Sequence, residues 1–420
     1  MFLAMDLVNL YSRVLVSSQF KLRAQGLPVI IMGANLYLMM LAPQEFLGAR
    51  ASRVRELLEE IDIDVLIVTH LPNIFYLTNF SGSAGIVVLS RTNIYLITDF
   101  RYVSVAGTLL KSEFACPGAR LVAVVGSYDA TLAKVIEGFG PVRVGFESDH
   151  LSVKRYQWLD SVISKNAGVQ FIPTDRLGER ARIRKDAYEI SVFRKAARLM
   201  SEVVPEVLNR VRIGCSENEI AVKVDSVIRE IGFDRPAFDT IVASGPNSSL
   251  PHAQPGQRKL SKGDTVLLDF GGVYEGYCLD VTRMISLGEP SLEIRELYKA
   301  VRQAQAAGLA SIREGVLASQ VDAAAREVLD SYSLADAFGH GTGHGLGIEI
   351  HEAPRIAARS EGKDASVDCD PVLETGMVFT VEPGVYLSGK VGVRLEDDVL
   401  VVPGGYETLT EPANEMSVHD

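Results

Sequence analysis

Four acidic residues interrupt apolar runs: Asp269 in TVLLDFGG, Asp280 in GYCLDVTRMISL, Glu382 in MVFTVEPGVYL and Glu396 in GVRLEDDVLVV. Each run has the aliphatic and β-branched composition of a half-buried strand. A carboxylate in such a place costs free energy unless it is paired, hydrogen-bonded or bound to a metal. A structural ion pair accounts for any one of them, Asp280 with Arg283 for instance, but less comfortably for two on neighbouring strands. Between the two pairs lies GHGTGHGLGIEIHE, residues 339–352, with His340, His344 and His351 among five glycines. A Gly-rich turn with incidental histidines would explain any single one. Imidazole is also the commonest protein metal ligand and a general acid/base near neutral pH.

Four carboxylates around one centre would repel one another and would not all ionise. Two divalent cations cancel their formal charge, and His344 adds a fifth donor. Carboxylate and imidazole suit manganese, iron, cobalt or zinc, while the lack of thiolate weakens the case for a structural zinc site. Two such ions can share and activate a hydroxide at neutral pH and polarise a carbonyl. The residue types therefore point to metal-assisted hydrolysis.

At 420 residues the chain has room for two or three domains. The net charge of −11 argues against a nucleic-acid or anionic-membrane partner, which would favour a basic surface. Cys116, Cys215, Cys278 and Cys369 are far apart and form no C-x-x-C, so no disulfide framework is expected. Cys278, two residues from Asp280, is a candidate to support the cluster from behind.

Alternating elements must position these residues. The pattern predicts a helix over 53–60, strands over 64–69, 86–89, 94–98, 121–125 and 142–146, and helices over 100–111, 128–139 and 152–165. Phe171 to Arg184 reads as a polar connector with a domain boundary in it. Beyond it, Asp186 with Glu189 and Ser216 with Glu219 are capping-box starts of helices reaching Val211 and about Ile231. The strand IVAS runs into a Gly-Pro-Asn-Ser turn that presents His252. The runs around Asp269 and Asp280 form a hairpin. Helices over 291–314 and 319–331 precede the histidines, and strands over 377–387 and 392–402 follow them. Arg394 and Glu396, two apart, share a face of the last strand. Residues after Thr410 read as a tail.

Residues 1–47 fit this pattern poorly. Lys21 and Arg23 precede the apolar run LPVIIMGANLYLMMLAP, which is short for a membrane span and interrupted for an export signal. An extra element, a poor signal and an over-long start are the three readings, and the last is favoured.

The ordered set LLDFGG, GYCLDVTR, GHGTGHGLGIEIHE, VEPG and VRLEDD resembles the pita-bread metallopeptidases over roughly residues 180–410, in particular the Xaa-Pro branch with aminopeptidase P and prolidase. The resemblance implies an α/β (α+β) chain: an atypical extension over 1–47, a creatinase-like N-terminal domain over 48–178 and a pita-bread domain over 179–415. It implies two divalent ions, manganese first, with cobalt, zinc or iron as alternatives. Asp269 would bind one ion, Asp280 and Glu396 would bridge, and His344 with Glu382 would complete the other, Glu382 also moving a proton. His252 would stabilise the transition state, His351 would contact the substrate carbonyl, and Arg394 would lie on the substrate side. The expected activity is exopeptidase hydrolysis of Xaa-Pro bonds in short proline-containing peptides by a cytoplasmic homodimer, with no nucleic acid and no membrane insertion. A catalytically silent binding protein on this scaffold, or a hydrolase of another small amide, are the alternatives.

Overall fold

The computed structural model describes residues 41–164, 168–359, 370–412 and 415–419. The expected extension lies outside the described residues as far as Met40, as does Cys369. Leu41 and Ala42 are already buried, and the first helix, α1, spans Gln44–Glu60. It opens before the amphipathic stretch read from sequence because Leu47 and Ala51 extend the apolar stripe of Val54 and Leu58.

The N-terminal half is one mixed sheet. Its strands are β1 (Val65–Val68), β2 (Ile86–Ser90), β3 (Ile94–Thr98), β4 (Ala119–Ala123), β5 (Arg143–Glu147) and β6 (Gln170–Thr174), in the order β4-β3-β2-β1-β5-β6. β1 to β3 form an antiparallel meander, and the outer pairings β3–β4, β1–β5 and β5–β6 are parallel. Val65 and Ile67 face one way, as the two-residue period of a strand requires. They pack with Leu132 and Ile136 of a helix over Tyr128–Glu137 and Leu159 of one over Val153–Leu159.

Several elements were not expected from the sequence. Leu71–Thr78 forms a short helix, α2, with Pro72 in its first turn; its apolar residues have no clear helical stripe to betray it. The supposed connector contains β6 and a further helix, α3, over Leu177–Arg182. The tail contains β18 (Ser417–His419), which pairs with the strand carrying Asp280.

In the C-terminal half both capping boxes form, starting helices α4 (Ala187–Leu208) and α5 (Glu217–Ile231). The short strands β7 (Arg235–Pro236) and β8 (Ile241–Ser244) pair with β9 (Thr265–Tyr274), which makes the hairpin with β10 (Tyr277–Leu287), joined by Glu275 and Gly276, both with positive φ. That is the geometry of a tight two-residue turn, easy for Gly276 and strained for Glu275. A second sheet contains β11 (Gly343–Gly345), β12 (Glu352–Ile356), β13 (Val378–Val381), β16 (Asp397–Val402) and β17 (Gly405–Thr408). A separate ribbon pairs β14 (Gly384–Leu387) with β15 (Val391–Arg394). Helices over Leu292–Ser311 and Ala318–Ser331 pack Val301, Ala304, Ala325 and Leu329 against Leu267 of β9 and Val393 of β15. Among the described residues no helix is long and apolar enough to cross a membrane.

Ser216→Ala removes the side-chain cap of α5 and should cost about 1 kcal/mol. Urea denaturation should show a lowered midpoint with metal content unchanged.

Candidate metal centre

The hairpin sets the first two acids. Asp269 lies opposite Thr282, and Asp280 opposite Gly271. Positions 269 and 271 share a face, so both carboxylates emerge on the same side. Both residues are buried, and Asp269 Oδ1 and Asp280 Oδ1 have no hydrogen-bond partner among the described residues. Asp280 is not paired with Arg283. That guanidinium bonds Asp397 Oδ1 (2.8 Å) and the Glu396 carbonyl (2.7 Å) instead.

Glu382 and Glu396 were expected within strands, and both stand at a break. β13 pairs with β16 as far as Val381 and Asp397, while β14 pairs with β15 from Gly384 and Arg394 onward. Between the two ladders Glu382-Pro383 faces Leu395-Glu396. Pro383 has no N–H to continue the ladder, and each side of the gap contributes one carboxylate. Glu382 N donates to the Thr342 carbonyl (2.7 Å), and Thr282 Oγ1 donates to Glu396 Oε2 (2.7 Å).

His344 lies on β11, where a Cβ on neighbouring Gly343 would overlap the Thr380 carbonyl, so only glycine fits. Its Nδ1 donates to the Gly345 carbonyl (3.2 Å), which leaves Nε2 as a lone pair toward the acids. Nε2 is 3.5 Å from Glu382 Oε1 and 3.7 Å from Asp280 Oδ2. Donor atoms of Asp280, His344 and Glu396 all lie within 4.8 Å of one another.

Electrostatics reflect the crowding. Burial, then Glu396 and Asp269, pushes Asp280 well above the carboxylate range. Burial, then Glu382 and Asp269, does the same to Glu396. Burial raises Glu382 to about 7 against the pull of Arg394. Burial, reinforced by His351, lowers His344 to about 4, so its ring is neutral at pH 7.

Three further histidines, His351, His252 and His340, lie near this cluster. His351 is exposed, with its ring 4.3 Å from that of His344 in an edge-on arrangement. His252 is also exposed; after burial, its field helps lower the pKa of both His351 and His340. His340 donates from Nδ1 to the Gly341 carbonyl (2.8 Å) and accepts at Nε2 from Tyr386 Oη (2.9 Å). Arg394, expected on the substrate side, is 3% exposed and engaged inward. It donates to Thr282 Oγ1 (3.1 Å), Tyr386 Oη (2.8 Å), the Pro251 carbonyl (3.3 Å) and Asp269 Oδ2. Its position makes it an organiser of the cluster. Cys278 does not support the acids: its thiol bonds the Ile348 carbonyl (3.7 Å), and burial raises it to about 12.

Residues 191–403 match the family model for metallopeptidase family M24, and residues 50–184 match that of the creatinase/prolidase N-terminal domain. The sequence is 36% identical to an uncharacterized peptidase of Bacillus subtilis over 88% of this chain and 99% of the relative. Among solved structures, a Xaa-Pro dipeptidase from Bacillus anthracis is similar with a TM-score of 0.81 at 37% identity, covering 89% of this chain and 99% of that one. An X-Pro aminopeptidase from Thermotoga maritima gives a TM-score of 0.75 at 33% identity, covering 86% and 99%.

The chain belongs to metallopeptidase family M24. Membership implies a divalent metal, and the cluster fits one. Among the described residues, two buried carboxylate oxygens lack partners, a neutral imidazole aims its lone pair at the same place, and no thiolate competes. For an M24 centre, several supporting residues escaped the sequence reading. Thr282 fixes Glu396 and Arg394, Tyr386 joins Arg394 to His340, and Asp398 Oδ2 accepts from Asp280 N (3.0 Å). Asp398 gave the same signal as the four acids, a carboxylate amid apolar residues. Thr282 and Tyr386 gave none.

Thr282→Val keeps the volume of the side chain and removes both of its hydrogen bonds. Apparent metal affinity should fall about tenfold, as for other groups that orient ligands, in competition with a chromogenic chelator.

Proposed function

We propose that this M24 chain is a dinuclear metal-dependent exopeptidase acting on Xaa-Pro bonds of short peptides. The observation that carries the proposal is the convergence of Asp280, His344, Glu382 and Glu396, with Asp269 on the same hairpin face and the exposed ring of His351 against that of His344. Manganese is the ion proposed first, on the donor set of carboxylates and imidazole. Asp269, Asp280, His344, Glu382 and Glu396 would hold two such ions, which supply a water-derived nucleophile at neutral pH and polarise the scissile carbonyl.

The rest of the chemistry falls to the chain. His252 donates to the oxygen on which negative charge develops, a preorganised contact that strengthens toward the transition state. His351 orients the substrate carbonyl next to the prolyl residue. Glu382 delivers a proton to the leaving prolyl nitrogen. Arg394, spread over Asp269, Thr282 and Tyr386, keeps the acids in register and is proposed as a positioning residue. The division at 178/179 into a creatinase-like and a pita-bread domain, and a homodimer, are part of this reading through the family resemblance; the cytoplasm is proposed as the location because residues 1–47 make a poor export signal.

The test is hydrolysis of a Xaa-Pro dipeptide, a Xaa-Pro-Yaa tripeptide and their Xaa-Ala counterparts, by chelator-stripped protein and after manganese addition. Manganese-dependent cleavage before proline is expected. Release from the tripeptide assigns aminopeptidase P behaviour, and cleavage of the dipeptide alone assigns prolidase. Equal turnover of Xaa-Ala would indicate a different amide specificity, and no turnover with metal bound would contradict the proposal. Glu396→Gln should abolish hydrolysis with the fold preserved by circular dichroism. Full activity in that variant, metal-loaded, would remove Glu396 from the ligand set.

A further inference from the structure

The turn between His344 and His351 is gripped from the N-terminal half. His70, immediately before α2, has Nδ1 3.1 Å from Glu179 Oε1 and Nε2 3.1 Å from Glu349 Oε1. Ionised carboxylates only accept hydrogen bonds, so a ring that faces one with each nitrogen is an imidazolium. Burial opposes that charge, but the hydrogen bonds to Glu179 and Glu349 outweigh it, and His70 is raised to about 9. Glu147 of β5 adds to the attraction, and its Oε2 accepts from His70 N (2.8 Å). The ring of His150 stacks on His70 at 3.7 Å, tilted by 6°. Burial and the charge of His70 lower the pKa of His150, so a neutral ring covers a charged one. This is not a metal pair. Imidazole binds a metal in the plane of its ring, and two parallel planes this far apart share no such point.

Arg182 reinforces the grip. Its Nη2 bonds Glu349 Oε2 and Glu352 Oε1, each at 2.6 Å, and its Nη1 bonds Asn73 Oδ1 (2.6 Å). Glu352 Oε1 also accepts from Glu349 N (3.0 Å), and Lys185 Nζ is 3.6 Å from Glu352 Oε2. His351 thus sits between two acids whose carboxylates are held by His70, Arg182 and Lys185. Its own ring stands against that of His344.

We propose that His70 is a positioning residue for the peptidase reaction: through Glu349 it fixes the turn over 346–352, and with it the ring of His351 beside the metal centre. The catalytic part rests on the Xaa-Pro reading, while the ordering of the turn does not. The folded-state pKa is raised, so the contribution is complete below the ordinary histidine value of 6.5 and is lost as pH rises through about 9.

Hydrogen–deuterium exchange of the metal-loaded protein, with steady-state kinetics on the same samples, tests this. In His70→Gln, exchange over residues 346–352 should rise at least about tenfold, as loss of a charged hydrogen bond implies, while α5 and β9 are unchanged. KM should rise more than kcat falls, and His70→Lys, which restores a cation, should recover most of both. Wild-type protein above about pH 9 should approach the His70→Gln exchange pattern. Wild-type-like exchange over this turn in His70→Gln, or a rise only in step with the whole molecule, overturns the proposal. Absence of Xaa-Pro hydrolysis by the wild type would defeat the functional reading alone, and the exchange result would still decide the role of His70.

Discussion

Mutual repulsion among buried carboxylates is the constraint on which the C-terminal half depends. Asp280 and Glu396 are buried with Asp269 and Glu382 beside them, and the guanidinium of Arg394 is bonded to the Asp269 carboxylate. In water these acids would ionise freely. Here burial and like charge resist ionisation, and a divalent cation reverses that balance by becoming the largest local charge. The fold thus keeps a group of side chains whose favourable state requires something from outside the chain. Such local conflict is expected where function, not packing, dictates residue type.

The strands solve the placement problem in two ways. The β9–β10 hairpin uses ordinary alternation, placing Asp269 and Asp280 on one face across a turn of two residues. The other two acids need an interruption, where one pair of strands stops being paired in one sheet and resumes in a ribbon. Pro383 enforces it, and Thr282 bridges from β10 to Glu396 across it. Gly343 lets β11 pass close enough to β13 for His344 to reach Glu382 and Asp280. Beyond His344 the same stretch is bonded at Glu349 by Arg182 and by His70, the latter from the N-terminal half.

Much of this was legible in the sequence because it rests on local contrast. Acids in apolar runs, glycines spaced by histidines, and capping boxes at Asp186 and Ser216 all break a pattern that a reader can see. The strand breaks at Glu382 and Glu396 were less visible, since Pro383 alone does not say that two ladders part there. Tyr386 and Thr282 have roles set by tertiary contact and carry no local signal. The same holds for His70 with Glu349: neither is unusual in its own neighbourhood, and only the fold brings them together. Glu179 and Arg182 were hidden in a polar stretch that reads as linker. β18 was missed because a strand of three residues at a chain end has too little pattern to register.

The most direct test of the account is a calorimetric titration of manganese into chelator-stripped protein, with thermal stability followed in parallel. Relief of carboxylate repulsion predicts two ions bound per chain and a melting temperature that rises with each, since an ion that binds only the folded state stabilises it. No binding, or binding that leaves stability unchanged, would mean that the buried acids are satisfied without metal and would contradict the account.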